Sequence, residues 1–349
     1  MRSDILILGD GVAGLSCAIA ARQTGLRVTV LSGTSRLKNT FHVLLHPGAE
    51  CLFDTLGLRP QVDALALSRP EGYWLQGCGN HSFVPYGKDT SGPWRGYVLN
   101  LSDLETSLRT RACDLGVKFA DQPCDFEPLF ANGAVSGLRC LGKDHPANLT
   151  IDASGGRQLL HRKLRLKPLF GSPPLIATYT ADATGKMLQH PSFDQRSDGW
   201  CFSFGIGAGR IAATDLNITT HRINPSDKIC RDVSWQYLPE CAGPGYAVIG
   251  DAALRLDPAS GAGVLRAMMM GIKAPDLAKH PDNWRRYRQW VRDWAFTDGL
   301  KLAEIYAASP FQAGWAHHHC WTAHRPSHSD VEVRLTEPGK GFQRGNAMI

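Results

Sequence analysis

The chain has 349 residues, a formal net charge of +6, 43% apolar side chains and 20% charged ones, which is the balance of an ordinary globular protein with material for one large unit or two intertwined ones. Every apolar run is interrupted by Gly, Pro or charge short of the ~20 residues that a bilayer span requires, so no membrane partner is expected. Lys and Arg are dispersed and no RNA or DNA motif accompanies them, which sets nucleic acid aside despite the basic balance.

The start, MRSDILILGDG, shows no basic n-region, signal-length apolar stretch or small-residue cleavage site, and the ten cysteines lack paired spacing. A cytoplasmic protein with reduced thiols is expected. Residues 4–9 read as a buried parallel strand, residues 12–23 as a helix rich in Ala and Leu, and residues 27–31 as a second strand. Together they form a βαβ unit, the element that fixes a parallel sheet. Residues 32–40 read as a loop and residues 46–56 as a helix. Trp74, Phe83, Tyr86, Trp94 and Tyr97 then stand among Gly and Pro, a pattern of short antiparallel strands. Residues 102–115 return to helix.

From residue 116 to 151 apolar and polar residues alternate, with turn signals at Asn132-Gly133 and Gly142-Lys143, as in a small meander that ends in LTIDASG. Between about residues 168 and 237 the alternation in WCFSFGIG and RIAATDLNI predicts a separate antiparallel sheet that would carry a substrate. Helices are expected over 268–274 and 283–308, before a polar tail. The predicted class is α/β: a Rossmann-like dinucleotide-binding domain from residues 1–70, 98–165 and 240–280, an inserted antiparallel β-sheet domain from 71–97 and 166–239, and C-terminal helices with an irregular tail over 281–349.

Three segments carry chemistry. In Gly9-Asp10-Gly11-Val12-Ala13-Gly14, between strand and helix, two glycines let the backbone turn and approach a pyrophosphate and the third lets helix pack on strand. The helix N-terminus offers its N–H groups to the anion. One departure stands out: the acid expected at the end of the second strand, where it would accept from ribose hydroxyls, is Ser32. The second segment is Gly250-Asp251-Ala252-Ala253, followed by Asp257-Pro258 and Gly261-Ala262-Gly263. There an Asp at a strand end can accept from a ribityl hydroxyl, and a helix start can direct N–H groups at a flavin pyrimidine ring. The third, Ile151-Asp152-Ala153-Ser154-Gly155, is a strand ending in small residues, a pattern that a plain strand-turn shares.

The ordered trio GDGVAG, DASGGR and GDAALRLDPASGAG resembles the FAD-dependent aromatic monooxygenases of group A type and the tryptophan halogenases, across nearly the whole chain. The stretches HPGAECLFDTLGL, SDGWCFSFGIGAGR, GAGVLRAMMMG and IYAASPF are most similar to the small flavoproteins that modify tryptophan during maturation of tryptophylquinone-dependent oxidases. The resemblance implies FAD, held by Gly9, Gly11, Val12, Ala13, Gly14, Ser32, Gly33, Arg36, Cys124, Ala153, Ser154, Gly250, Asp251, Pro258, Gly261, Ala262, Gly263 and Val264. It also implies NAD(P)H or another reductant, dioxygen, and a precursor of a quinone-cofactor oxidase as partner. The halogenase signature Trp-x-Trp-x-Ile-Pro is not kept: Trp200-Cys201-Phe202-Ser203-Phe204-Gly205 retains one Trp, and Lys88 stands in an unrelated context, so halogenation is disfavoured.

No catalytic side chain stands out. His46, before Pro47, is a candidate for substrate binding or proton transfer, although a helix-start histidine without such duty reads the same way. Trp200 is a candidate pocket wall or a core residue. His317, His318, His319 and Cys320 are consecutive and ill-suited to converge on one ion, so no metal is expected. Three functions remain open on the residues: hydroxylation of a tryptophan in a partner polypeptide, hydroxylation of a small aromatic metabolite, and a non-catalytic flavin-binding assembly factor.

Overall fold

Ser3–Leu8 is apolar on both faces and its last four residues are fully buried, which places it inside a sheet covered on each side. The computed structural model describes residues 3–33, 41–77, 80–121, 125–172, 174–184, 188–196, 199–217 and 229–308, with three two-residue strands beyond. Ser3–Leu8 pairs in parallel with Val28–Ser32 on one side and with Lys143–Asp152 on the other. The sheet runs Phe126–Ala131, Ala134–Cys140, Lys143–Asp152, Ser3–Leu8, Val28–Ser32, Lys118–Asp121.

Lys143–Asp152 organises this layer. One edge meets Ser3–Leu8, while the other is shared: its beginning pairs antiparallel with Ala134–Cys140 and its end pairs in parallel with Tyr246–Val248. The expected meander is present, with left-handed pairs at Asn132-Gly133 and Leu141-Gly142. The second turn is therefore centred one residue earlier than the sequence pattern suggests.

Helix Val12–Gln23 is buried from Val12 to Ala21, because helix Gly263–Lys273 covers the side that the sheet does not. Gly271 makes that approach possible: a Cβ there would stand 2.5 Å from the Ala13 carbonyl oxygen. Helix Leu101–Asp114 is capped by Asn100, whose side chain accepts from the Ser102 N–H.

The second sheet has seven strands, in the order Ile229–Asp232, Ile176–Thr184, Arg210–Asn217, Gly199–Gly205, Ser192–Arg196, Gly72–Gly77, Asn80–Pro85. Its pairings are antiparallel except one: Ser192–Arg196 runs parallel to Gly72–Gly77 and so joins the aromatic-rich early segment to the later strands. Two elements depart from the sequence pattern. His42–Leu45 is a strand, paired antiparallel with Tyr97–Asn100, and the helix expected from His46 begins at Ala49 after a His46-Pro47-Gly48 turn. Gly57, left-handed at φ 68°, ends that helix, and a further one, Arg59–Leu65, follows. The chain closes its described core with the long helix Trp284–Ala308. Among the described residues no helix is long and apolar enough to cross a membrane.

Candidate functional site

The glycines of the first turn have separate tasks. Gly9 takes φ 107°, and a Cβ on it would fall 2.5 Å from the Ala153 carbonyl oxygen; one on Gly14 would fall 2.1 Å from the Gly9 carbonyl oxygen. These two let strand, turn and helix close on each other. Gly11 is different: the nearest atom to its added Cβ is Glu105 Oε1 at 3.8 Å, so this face is open for a ligand to approach. No side chain caps the helix that starts at Val12. Its first N–H groups lack intrahelical partners and present a positive dipole end to an anion.

The second turn comes from the far end of the sequence. The Ile249 N–H donates to the Asp152 carbonyl, Gly250 turns at φ 62°, and a Cβ there would press on the Ala13 methyl at 2.9 Å. Asp257 is fully buried and accepts from the Trp235 indole N–H at 2.6 Å and the Ala259 N–H at 2.9 Å, which holds Pro258–Ser260 in place. Gly261 then turns left-handed and opens the start of helix Gly263–Lys273. Asp152, also fully buried, accepts from the N–H groups of Ser154, Leu160 and His161 and so ties the third turn to the sheet.

These turns meet on one cavity of about 500 Å³. Of the residues singled out from sequence, Gly11, Val12, Ala13, Ala153, Asp251, Pro258, Gly261, Gly263 and Val264 line it. Gly9, Gly14, Ser154, Gly250 and Ala262 belong to the same turns without lining it. Ser32 and Gly33 end the second strand, where Arg109 donates to Ser32 Oγ at 3.3 Å and to Asp10 at 2.8 Å. Arg36, Cys124 and the His317–Cys320 run lie outside the described residues.

The opposite wall is aromatic. Phe41, Tyr179, Phe202 and Phe204 line it, with Phe41 and Tyr179 ring centres 4.7 Å apart and those of Phe202 and Phe204 5.9 Å apart. Burial, with Asp251 and Asp257 nearby, pushes the Tyr179 phenol up to about 12, so it keeps its proton. Trp200 shares the face of Phe202 and Phe204 by strand alternation but does not line the cavity; it is buried against Phe193 at 5.4 Å. His46 does not line it either: Nδ1 accepts from the Gly48 N–H at 3.1 Å and the ring stands edge-on to Tyr86. Lys88 is exposed in a short hairpin away from the cavity wall.

Sequence reasoning missed Phe41, Tyr179, Arg231 and Arg255 as wall residues. The alternation of Ile176–Thr184 places Tyr179 on a sheet face, but only the tertiary fold turns that face towards the glycine turns.

Residues 4–43 match the family model described as an FAD binding domain. A digeranylgeranylglycerophospholipid reductase of Methanothrix thermoacetophila is 25% identical over 321 residues, covering 79% of this chain and 78% of that protein. A 1H-pyrrole-2-carbonyl-[peptidyl-carrier protein] brominase of Pseudoalteromonas luteoviolacea is 26% identical over 345 residues, covering 84% and 82%. The solved structure of a peptidyl tryptophan dihydroxylase essential for tryptophylquinone cofactor biogenesis superposes with a TM-score of 0.70 at 17% identity, covering 90% of this chain and 78% of that one.

The residues present fit FAD. Gly11 leaves room for a pyrophosphate, two uncapped helix starts converge on the cavity, and Asp251 stands at its wall. The fold is a Rossmann-like FAD-binding one, FAD is the cofactor, and the chain is an FAD-dependent oxidoreductase.

Proposed function

We propose that this protein is an FAD-dependent monooxygenase that hydroxylates a tryptophan side chain of a partner precursor protein during quinone-cofactor biogenesis, in the cytoplasm. The observation that carries this reading is the single cavity in which two dinucleotide turns face an aromatic wall. The structural likeness to a peptidyl tryptophan dihydroxylase supports it.

When bound and reduced by NAD(P)H or another donor, FAD supplies the electrons that activate dioxygen. One oxygen atom enters the indole and the other leaves as water, with two electrons and two protons consumed. The chain's own part is placement. N–H groups at the starts of helices Val12–Gln23 and Gly263–Lys273 would bind anionic and polar groups of the nucleotide, and Asp251 would accept from a ribityl hydroxyl. Phe41, Phe202 and Phe204 stack on the incoming ring and exclude water. Tyr179 keeps its phenolic proton and stands in the aromatic wall as a hydrogen-bond donor.

Co-purification with an oxidase precursor, followed by incubation with FAD, reductant and oxygen, tests the reading. The expected result is an oxygen-dependent mass gain on a tryptophan of the precursor. No gain on any tryptophan-containing precursor, with FAD bound and reduced, overturns it, and a halogen taken up from added bromide replaces it with halogenation.

A second reading, hydroxylation of a free aromatic metabolite, draws on the aromatic wall of Phe41, Phe202 and Phe204, which would take a small ring without a polypeptide around it. NAD(P)H oxidation triggered by a small phenol or indole without a partner protein would select it.

A further inference from the structure

Near its start, helix Trp284–Ala308 carries Arg285, Arg286, Arg288 and Arg292. Arg285, Arg288 and Arg292 recur at i, i+3 and i+7, so they share one face and form a stripe about 10 Å long. Like charges at this spacing repel one another and weaken a helix. Nothing on the helix offsets them: Asp293, the only acid between residues 284 and 297, is buried and accepts from the Gln289 side-chain amide at 2.7 Å. Just ahead of the helix Asp282 is exposed and Asp276 stands 3.8 Å from His280. Among the described residues none of the three arginines has an ion-pair partner, whereas Arg255 and Arg266 each meet a carboxylate at 2.9 Å.

Aromatic rings hold the stripe instead. The guanidinium carbons of Arg285 and Arg288 lie 4.3 Å and 4.5 Å from the centre of one indole, Trp284, and that of Arg292 lies 5.4 Å from the Phe296 ring. Arg288 also donates through Nε to the Ala242 carbonyl. A ring contact steadies a guanidinium without neutralising it and leaves N–H groups on its rim for an acceptor. The three groups are spread over two helical turns, so they suit a row of carboxylates rather than a single anion, and steps of three and four residues repeat along one face of a facing helix. None of the three lines the cavity, while the same helix packs on Pro258–Ser260, whose Pro258 does line it. A polypeptide held on the stripe therefore leaves the cavity free to receive a side chain.

We propose that Arg285, Arg288 and Arg292 dock an acidic helical segment of the polypeptide partner. For what that partner presents to the cavity, the inference rests on the reading of a polypeptide substrate, and it deepens that reading by giving the partner's surface chemistry.

The test is calorimetric titration of the FAD-loaded full chain, which does not depend on turnover. The probes are an end-capped helical peptide with Glu at every third or fourth position, the same peptide with Gln for Glu, and an oligothymidylate of equal charge. The Glu peptide is expected to bind, more weakly as salt is raised, and the Gln peptide not to bind. The double variant Arg285→Gln, Arg292→Gln should weaken the Glu peptide about tenfold with FAD content and melting temperature unchanged, and Arg285→Lys, Arg292→Lys should restore part of the loss. Arg162→Gln, Lys167→Gln removes two exposed positive charges elsewhere and should leave binding as it was. No binding of the Glu peptide, equal loss in both Gln double variants, or tighter binding of the oligothymidylate at the stripe overturns the assignment. Neither probe peptide contains tryptophan, so stripe-dependent binding without a mass gain on any precursor keeps the docking site and removes the hydroxylation reading. A precursor mass gain that is unaltered in Arg285→Gln, Arg292→Gln does the reverse.

Discussion

Arg109 reaches Asp10 across 99 residues of sequence, with Nη1 at 2.8 Å from Oδ2, and the same nitrogen stands 3.3 Å from Ser32 Oγ. The guanidinium also lies over the Phe119 ring at 4.0 Å. An arginine-carboxylate pair thus stands at the end of the second strand, where nucleotide folds usually place a lone acid for the ribose. Arg109→Ala is expected to weaken FAD about tenfold while leaving FMN, which lacks the adenosine, unaffected. Flavin fluorescence titrations with both nucleotides check this, and equal loss for the two would show a general structural defect instead.

Close approach of helices Val12–Gln23 and Gly263–Lys273 depends on Gly271, whose added Cβ meets the Ala13 carbonyl oxygen at 2.5 Å and the Cys17 nitrogen at 3.0 Å. Both obstacles are backbone, so neither can rotate away. Gly271→Val should cost about 2 kcal/mol or more and lower FAD affinity, because the two helix starts no longer converge. Thermal melting with and without FAD measures both effects.

Arg266 and Asp298 form an ion pair at 2.9 Å with side chains only 2% and 5% exposed, linking helix Gly263–Lys273 to the long C-terminal helix. Arg266→Met leaves a buried carboxylate without its counter-charge and should destabilise the protein by about 3–5 kcal/mol. The double variant Arg266→Met, Asp298→Leu removes both charges and should recover much of the loss. Urea unfolding of the three proteins gives the comparison.

Burial, reinforced by the Lys301 charge, lowers the His46 imidazole from 6.5 to about 4. The native state then binds fewer protons at this site than the unfolded chain does. The stability contributed by a neutral His46 is present above pH 6.5 and is lost as the pH falls towards 4. His46→Gln should flatten the stability profile across that window. An unchanged slope in urea melts over the same range would refute it.

The glycine turns and their strands were legible in the sequence because their demands are local: Gly9, Gly11 and Gly14 stand at fixed spacing after an apolar run, and Gly250 to Val264 repeats the logic with an Asp at the strand end. The strand His42–Leu45 was not legible, since its partner Tyr97–Asn100 lies more than fifty residues away and the short apolar run Val43-Leu44-Leu45 continues easily into the following helix pattern. Arg231 and Tyr179 were silent for a related reason. They face the cavity only because Ile229–Asp232 pairs with Ile176–Thr184 at a sheet edge that turns towards Phe41, and nothing periodic in either strand states that. Trp200 shows the converse: an aromatic residue in the right strand and on the right face still fills the core two residues from the cavity wall.

The strand Lys143–Asp152 clasps Ser3–Leu8 along one margin and Tyr246–Val248 along the other. On the proposed reading, in which the turns at Gly11 and at Gly261 hold the two halves of the nucleotide, both are present only once residue 264 has left the ribosome. Flavin capture is then expected at the end of biosynthesis, and a chain truncated before Tyr246 is expected to accumulate colourless, whatever the supply of FAD.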